Sequence, residues 1–154
     1  MALVGCGRGG DDMWMAERSL RESYQAIIGA VASADLDALD DVIDADISDH
    51  NAVPGQVPGR AGITYWVTMM HEAFADLTGV VEDTVLEGDK IAARVTWHGT
   101  HRGDFVGIPG TGVAVTMQSV QILKFTDGLV TDWWGTADVF GVLRQVGASV
   151  AAPA

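Results

Sequence analysis

The sequence is poor in cysteine, in cations and in long apolar runs. Of its 154 residues one is cysteine, Cys6, so an intrachain disulfide is impossible and nothing points to an oxidising compartment. Nine Lys and Arg stand against 21 Asp and Glu, a formal net charge of −12. Binding nucleic acid or an anionic membrane needs clustered cations, so neither is an expected partner. No apolar run approaches the roughly 18 residues of a membrane span. A glycine-rich phosphate loop, a CxxC pair, HExxH and GxSxG are all missing, which argues against nucleotide, zinc-protease and α/β-hydrolase chemistry. Of the four histidines only His98 and His101 lie close in sequence, with no cysteine or fixed carboxylate spacing beside them. No metal site is expected from that pattern.

What is present describes a globular domain. Apolar residues make up 48% and charged residues 19%, a balance that supports a packed core rather than disorder. The length suits one domain that needs no crosslink. The glycine-rich start MALVGCGRGGDD reads as loop, and residues 1–14 are expected to be a flexible tail. Leu3-Val4-Gly5-Cys6 looks like a lipoprotein cleavage box but lacks the basic and apolar regions that would precede one. Residues 148–154 are small and unpatterned and are expected to fray, leaving a domain over 15–147.

Helical spacing comes first. Leu20, Tyr24, Ile27, Ile28 and Val31 form one stripe over 15–31. Asp35 can cap a second helix whose stripe is Leu36, Leu39, Val42, Ile43 and Ile47, with Asp37, Asp40, Asp41 and Asp44 on its solvated face. Two Pro-Gly pairs make 48–62 a loop. Ile63, Trp66, Val67, Met70 and Phe74 predict a third helix. The period then changes. Ile91, Ala93, Val95 and Trp97 alternate with Ala92, Arg94, Thr96 and His98, which is strand spacing. Gly88-Asp89 turns this strand back on 80–86, and 113–125 is a long β run. Asp127-Gly128 is a hairpin signal before a last strand from 129 to about 134. Residues 139–146 read as a short terminal helix. Helices followed by an antiparallel meander make an α+β fold.

Strict alternation in the last strand puts Val130, Asp132, Trp134, Thr136 and Asp138 on one face. Two acids and an indole are an odd core face, and a curved sheet under helices would enclose them in a cavity. A carboxylate desolvated there is suited to proton transfer. Asp138 can equally cap the helix that follows it, and both readings stand at this point. Trp66, Phe74, Trp97, Phe105 and Met117 suit a core or the wall of an apolar cavity.

The order and spacing of several short motifs carry a resemblance. They are Asp49-His50 before Pro54-Gly55 and Gly59; Ala73-Phe74-Ala75-Asp76; Glu87-Gly88-Asp89-Lys90; Gly99-Thr100-His101-x-Gly103; Phe105-x-Gly107; Thr111-Gly112; Asp127-Gly128; Asp132-x-Trp134-x-x-x-Asp138; and Gln145-x-Gly147. Together they resemble the SnoaL-like polyketide cyclase family of the NTF2-like superfamily over about residues 16–147. The resemblance implies a cone-shaped α+β barrel, with N-terminal helices packed on a curved antiparallel sheet around a deep cavity. It implies a cytoplasmic homodimer or homotetramer of antibiotic biosynthesis. It also implies cofactor-independent aldol-type ring closure or isomerisation of a polycyclic or apolar carbonyl substrate.

The family's acid-base aspartate matches Asp138, so Asp138 is expected to be catalytic, with His50 and His98 polarising the substrate. Trp134, Arg94, Trp66, Phe74, Met117, His101 and Gln121 are expected to bind it. The same scaffold leaves open an anthracycline hydroxylase-like enzyme, an epoxide-hydrolase-like enzyme using Arg94 and Asp138, or a non-catalytic module for hydrophobic ligands.

Overall fold

The computed structural model describes residues 8–148, so Cys6, the first part of the expected tail and residues 149–154 lie outside it. The first helix, α1, spans Arg8–Ser33. It starts seven residues before the expected Met15, because the glycine-rich composition masked helical backbone over 8–14. Its stripe is as expected: Tyr24, Ile27, Ile28 and Val31 are buried and Leu20 packs at the edge. The helix ends where Ser33 Oγ donates back to Gly29 O at 2.9 Å and Ala34 turns to φ 54°. Asp35 then caps α2 (Leu36–Val42), accepting from Ala38 N at 3.1 Å.

The expected second helix is cut short. Ile43 and Ile47 are buried, but they belong to a strand, β1 (Ile43–Asp49). A separation of four residues satisfies both the helical period and the strand period of two, so that spacing could not decide between them. After the Pro-Gly loop comes α3 (Arg60–Ala73). It ends one residue before the expected Phe74, which instead opens β2 (Phe74–Glu87). Next come β3 (Lys90–His101), β4 (Ala114–Thr126), β5 (Leu129–Ala137) and α4 (Val139–Gln145).

The sheet order is β1-β5-β4-β3-β2. Strands β2 to β5 form the expected antiparallel meander, while β1 joins the far edge parallel to β5. The sheet is therefore mixed, not wholly antiparallel, and the α+β class holds. Asp127 and Gly128 both take positive φ, 51° and 82°, the conformation a two-residue hairpin turn demands. The core fills the space between the helices and the inner sheet face, where Ile91, Val95, Leu123 and Val130 are fully enclosed. The outer face is less protected: Val80, Val85, Val120 and Ile122 remain exposed.

Candidate functional site

The inner sheet face does not pack solid along its length. Toward the start of α3 it opens into a cavity of about 530 Å³, a size suited to a small organic ligand. Apolar walls come from Trp66, Met69 and Met70 of α3, Trp97 of β3, Met117 of β4 and Trp133 of β5. Phe105 and Val106 reach in from the loop after β3.

Polar groups are few and held in place. Asp49, at the end of β1, is half-buried on the cavity wall. Its Oδ1 accepts from Asn51 N at 3.0 Å and its Oδ2 from Gln56 Nε2 at 2.7 Å. Gln56 Oε1 accepts in turn from Val53 N at 3.0 Å. Asn51 Oδ1 accepts from Gly135 N at 3.1 Å, and His50 N donates to Trp133 O at 2.9 Å. The loop after β1 is thus stitched to the edge of β5, which fixes the carboxylate against the cavity. Deeper in, Trp97 Nε1 donates to Ser119 Oγ at 3.1 Å, and Tyr24 Oη donates to Gln121 Oε1 at 2.9 Å. Asp104 stands exposed on the rim, with Oδ1 accepting from Gly107 N at 3.1 Å.

Three of the sequence-predicted residues line this cavity: Trp66, Met117 and Gln121. The others lie elsewhere. Asp138 is exposed, and its Oδ1 accepts from Gly141 N at 2.7 Å as the cap of α4. It borders a shallow depression with Arg94 and Gln118 that shares Ser119, Thr136 and Ala137 with the main cavity, whose own lining does not include Asp138. His50 and Trp134 lie on the outer side, with parallel rings 4.3 Å apart, and His50 Nε2 is 2.9 Å from Asp132 Oδ1. The His50 hydrogen bond holds the Asp132 carboxyl below its usual range, against a smaller opposing effect of desolvation. Arg94 Nη2 pairs with Asp83 Oδ2 at 3.0 Å, also outside, so Arg94 and Asp138 do not form the set an epoxide hydrolase would want. His98 is exposed, with Nδ1 3.2 Å from Thr116 Oγ1. Phe74 and His101 are buried behind the loop after β3, rings 5.8 Å apart, and His101 Nδ1 lies 3.0 Å from Thr111 Oγ1.

A single irregularity explains the reversed last strand. Lys124 pairs with Asp132 but Phe125 pairs with Val130, so β5 carries one extra residue, Thr131. Val130 and Trp133, three apart, therefore both point inward, and Asp132 and Trp134 turn out. Trp133, Asp49, Asn51, Gln56 and Ser119 are among the cavity residues not expected from the sequence. Asp49 was detectable only once β1 is known to be a strand, because it then shares parity with buried Ile47. No group of three or more His, Cys, Asp or Glu is placed to hold a metal among the described residues, and none of their helices is long and apolar enough to cross a membrane.

Comparison with known proteins agrees with this architecture. The family model for SnoaL-like polyketide cyclases matches residues 19–146. Aklanonic acid methyl ester cyclase DnrD of Streptomyces peucetius is 28% identical over 100 residues, 64% of this chain and 67% of the relative. The nogalonic acid methyl ester cyclase of Streptomyces nogalater is 33% identical over 88 residues, 49% of this chain and 66% of the relative. The chain thus spans about two thirds of the length of these relatives. The solved structure of TsrD from Streptomyces laurentii superposes with a TM-score of 0.79 at 28% identity, covering 86% of this chain and 97% of TsrD.

Proposed function

The chain belongs to the SnoaL-like polyketide cyclase family, and from that premise we propose that it closes a ring of a polycyclic polyketide ester in its apolar cavity, with Asp49 as the acid-base group. The observation that carries this reading is the placement of Asp49. It is the half-buried carboxylate on the wall, whereas Asp104 on the rim and Asp138 at the cap of α4 are both exposed. Ring closure of the aldol type needs one group that removes a proton alpha to a carbonyl and later returns it. The Asp49 carboxylate takes that proton, and the electron pair left on carbon attacks a second carbonyl of the same substrate. The new carbon–carbon bond leaves an alkoxide, which recovers the proton from Asp49. Atoms and electrons balance without an external oxidant or reductant. Flat aromatic rings of the substrate suit the indole walls of Trp66 and Trp133.

Homo-oligomer formation is part of the proposal, supported by the outer sheet face. Val85, Ala92, Ile122 and Trp134 lie in cross-strand register there as a row of apolar side chains. Cytoplasmic action belongs to it too; with one cysteine, the domain owes no stability to an oxidising compartment.

The test is incubation with the methyl esters of aklanonic and nogalonic acid, followed by chromatography of the isomeric products. The proposal expects ring-closed product from the wild type and its loss by about 10²–10⁴-fold in Asp49→Asn. Conversion by Asp49→Asn at the wild-type rate overturns the assignment of the acid, and no conversion of either ester by the wild type overturns the substrate class.

A further inference from the structure

The cavity has a polar corner that proton transfer by Asp49 leaves unused. Gln121 points inward from β4, almost fully buried, and lies opposite Gly135 of β5 in the strand register. A Cβ on Gly135 would sit 3.3 Å from Trp133 Nε1 and 4.0 Å from Gln121 Cγ. The missing side chain therefore leaves a notch bounded by an indole nitrogen and a primary amide, both on the cavity wall.

The amide is oriented from behind. Tyr24 is wholly buried, and burial raises its pKa well above the usual tyrosine value, so it keeps its proton. A buried hydroxyl needs an acceptor, and Gln121 Oε1 is that acceptor at 2.9 Å. With the oxygen held toward Tyr24, the amide nitrogen faces away from it. Among the described residues, the only side-chain polar atom both sealed from solvent and unpartnered is His101 Nε2. Gln121 Nε2 and Trp133 Nε1 have no protein partner there either, so both N–H groups open on the cavity.

We propose that Gln121 Nε2 and Trp133 Nε1 form a two-donor cradle over Gly135 for a carbonyl oxygen of the ligand, with Tyr24 as the residue that positions the amide. Both groups donate and neither accepts, so the cradle selects a carbonyl over a hydroxyl that must donate. Donors fixed in an apolar site strengthen as charge develops on that oxygen, which is the change that enolisation of the substrate produces. The cradle rests on the reading of the cavity as a substrate site, but not on Asp49 as its acid.

The experiment compares binding of 9,10-anthraquinone, a tricyclic diketone with no donor, with that of anthracene, which has no carbonyl. Tryptophan quenching measures affinity, and the infrared carbonyl stretch of the bound quinone reports donated hydrogen bonds. The wild type is expected to lower that stretch relative to the quinone in hydrocarbon solvent. Gln121→Leu is expected to weaken quinone binding about three- to tenfold, leave anthracene affinity unchanged and raise the stretch. Gln121→Met does the same if the leucine variant fails to fold. Tyr24→Phe, which removes only the orienting hydroxyl, is expected to raise the stretch without weakening anthracene binding, a signature that loss of packing would not produce. A quinone affinity and stretch identical across wild type and variants overturn the cradle alone. Failure of the wild type to bind either compound overturns the cavity reading and the cradle with it.

Discussion

The imidazole of His50 lies parallel to the indole of Trp134, ring centroids 4.3 Å apart, while its Nε2 sits 2.9 Å from Asp132 Oδ1. The arrangement joins the start of the Pro-Gly loop to the outer side of β5. It has the makings of an acid-base dyad, yet it faces away from the cavity, and its consequence is for stability. The Asp132 carboxyl titrates below its ordinary value of 3.8 in the folded protein. A depressed folded pKa adds stability above the unfolded pKa, and that stability is lost as pH falls through the lower folded value. The melting temperature should therefore fall below about pH 4, and Asp132→Asn should flatten that fall. Because both side chains are partly exposed, the pair contributes at most about 1 kcal/mol. Melting curves between pH 3 and 7 check both statements.

Asp138 and Asp49 should behave as opposites in turnover. Asp138→Ala removes the α4 cap and is expected to cost about 1 kcal/mol, a drop in melting temperature of a few degrees, with little change in turnover. Asp49→Asn leaves one oxygen for the two donors Asn51 N and Gln56 Nε2, so it should cost about 1 kcal/mol, and it should lose the turnover that Asp138→Ala keeps. Parallel melting and rate measurements on the two variants separate the roles.

Thr131, the extra residue of β5, holds two phases of one strand together. Its deletion would leave Val130 and Trp133 two apart, opposite Phe125 and Leu123, so simple alternation would carry both inward without the bulge. Each is buried and should stay so, and the variant should lose less than the about 1.5–3 kcal/mol of turning a large apolar side chain out of the core. Chemical denaturation of the deletion variant checks this.

Met117 forms part of the cavity wall from the middle of β4. Met117→Trp would extend into open volume rather than into packed core, so it should leave the melting temperature nearly unchanged. It should also weaken binding of a tricyclic ligand by about tenfold or more, the scale of a lost complementary fit. Titration with 9,10-anthraquinone measures this directly.

If copies of the chain associate through the outer sheet face, a charge in its apolar row should separate them. Ile122→Lys places an ammonium among Ala92, Val85 and Trp134. Sedimentation is expected to show a smaller species for this variant than for the wild type. Equal masses would remove the outer face from the interface.

Much of the fold is legible because local chemistry and tertiary packing agree. The Tyr24-Ile27-Ile28-Val31 stripe, the Asp35 cap and the Asp127-Gly128 turn each read the same way in isolation and in the structure. Legibility failed where a residue count was ambiguous. Ile43 and Ile47 suit two periods at once, and Thr131 shifts a period that counting assumes constant. The site depended on both. Misreading β1 hid Asp49, and misreading β5 exchanged Trp133 for Trp134. The alternation of β3 already assigned Arg94 and His98 to the face opposite Trp97, so their outward position was available from the sequence.

Helix α3 ends at Ala73 and β2 begins at Phe74, with no intervening residue. The helix on one side of the cavity thus runs straight into an edge strand of the sheet on the other, and that joint ties the two together. What remains adjustable is the mouth, shaped by the loops over 50–59 and 102–113. A new ligand range can therefore arise by exchanging residues such as Val53, Asp104 or Val106, which line the cavity from those loops, while the chamber behind keeps its dimensions. Selection for a different substrate has a short list of positions to work on, and none of them supports the core.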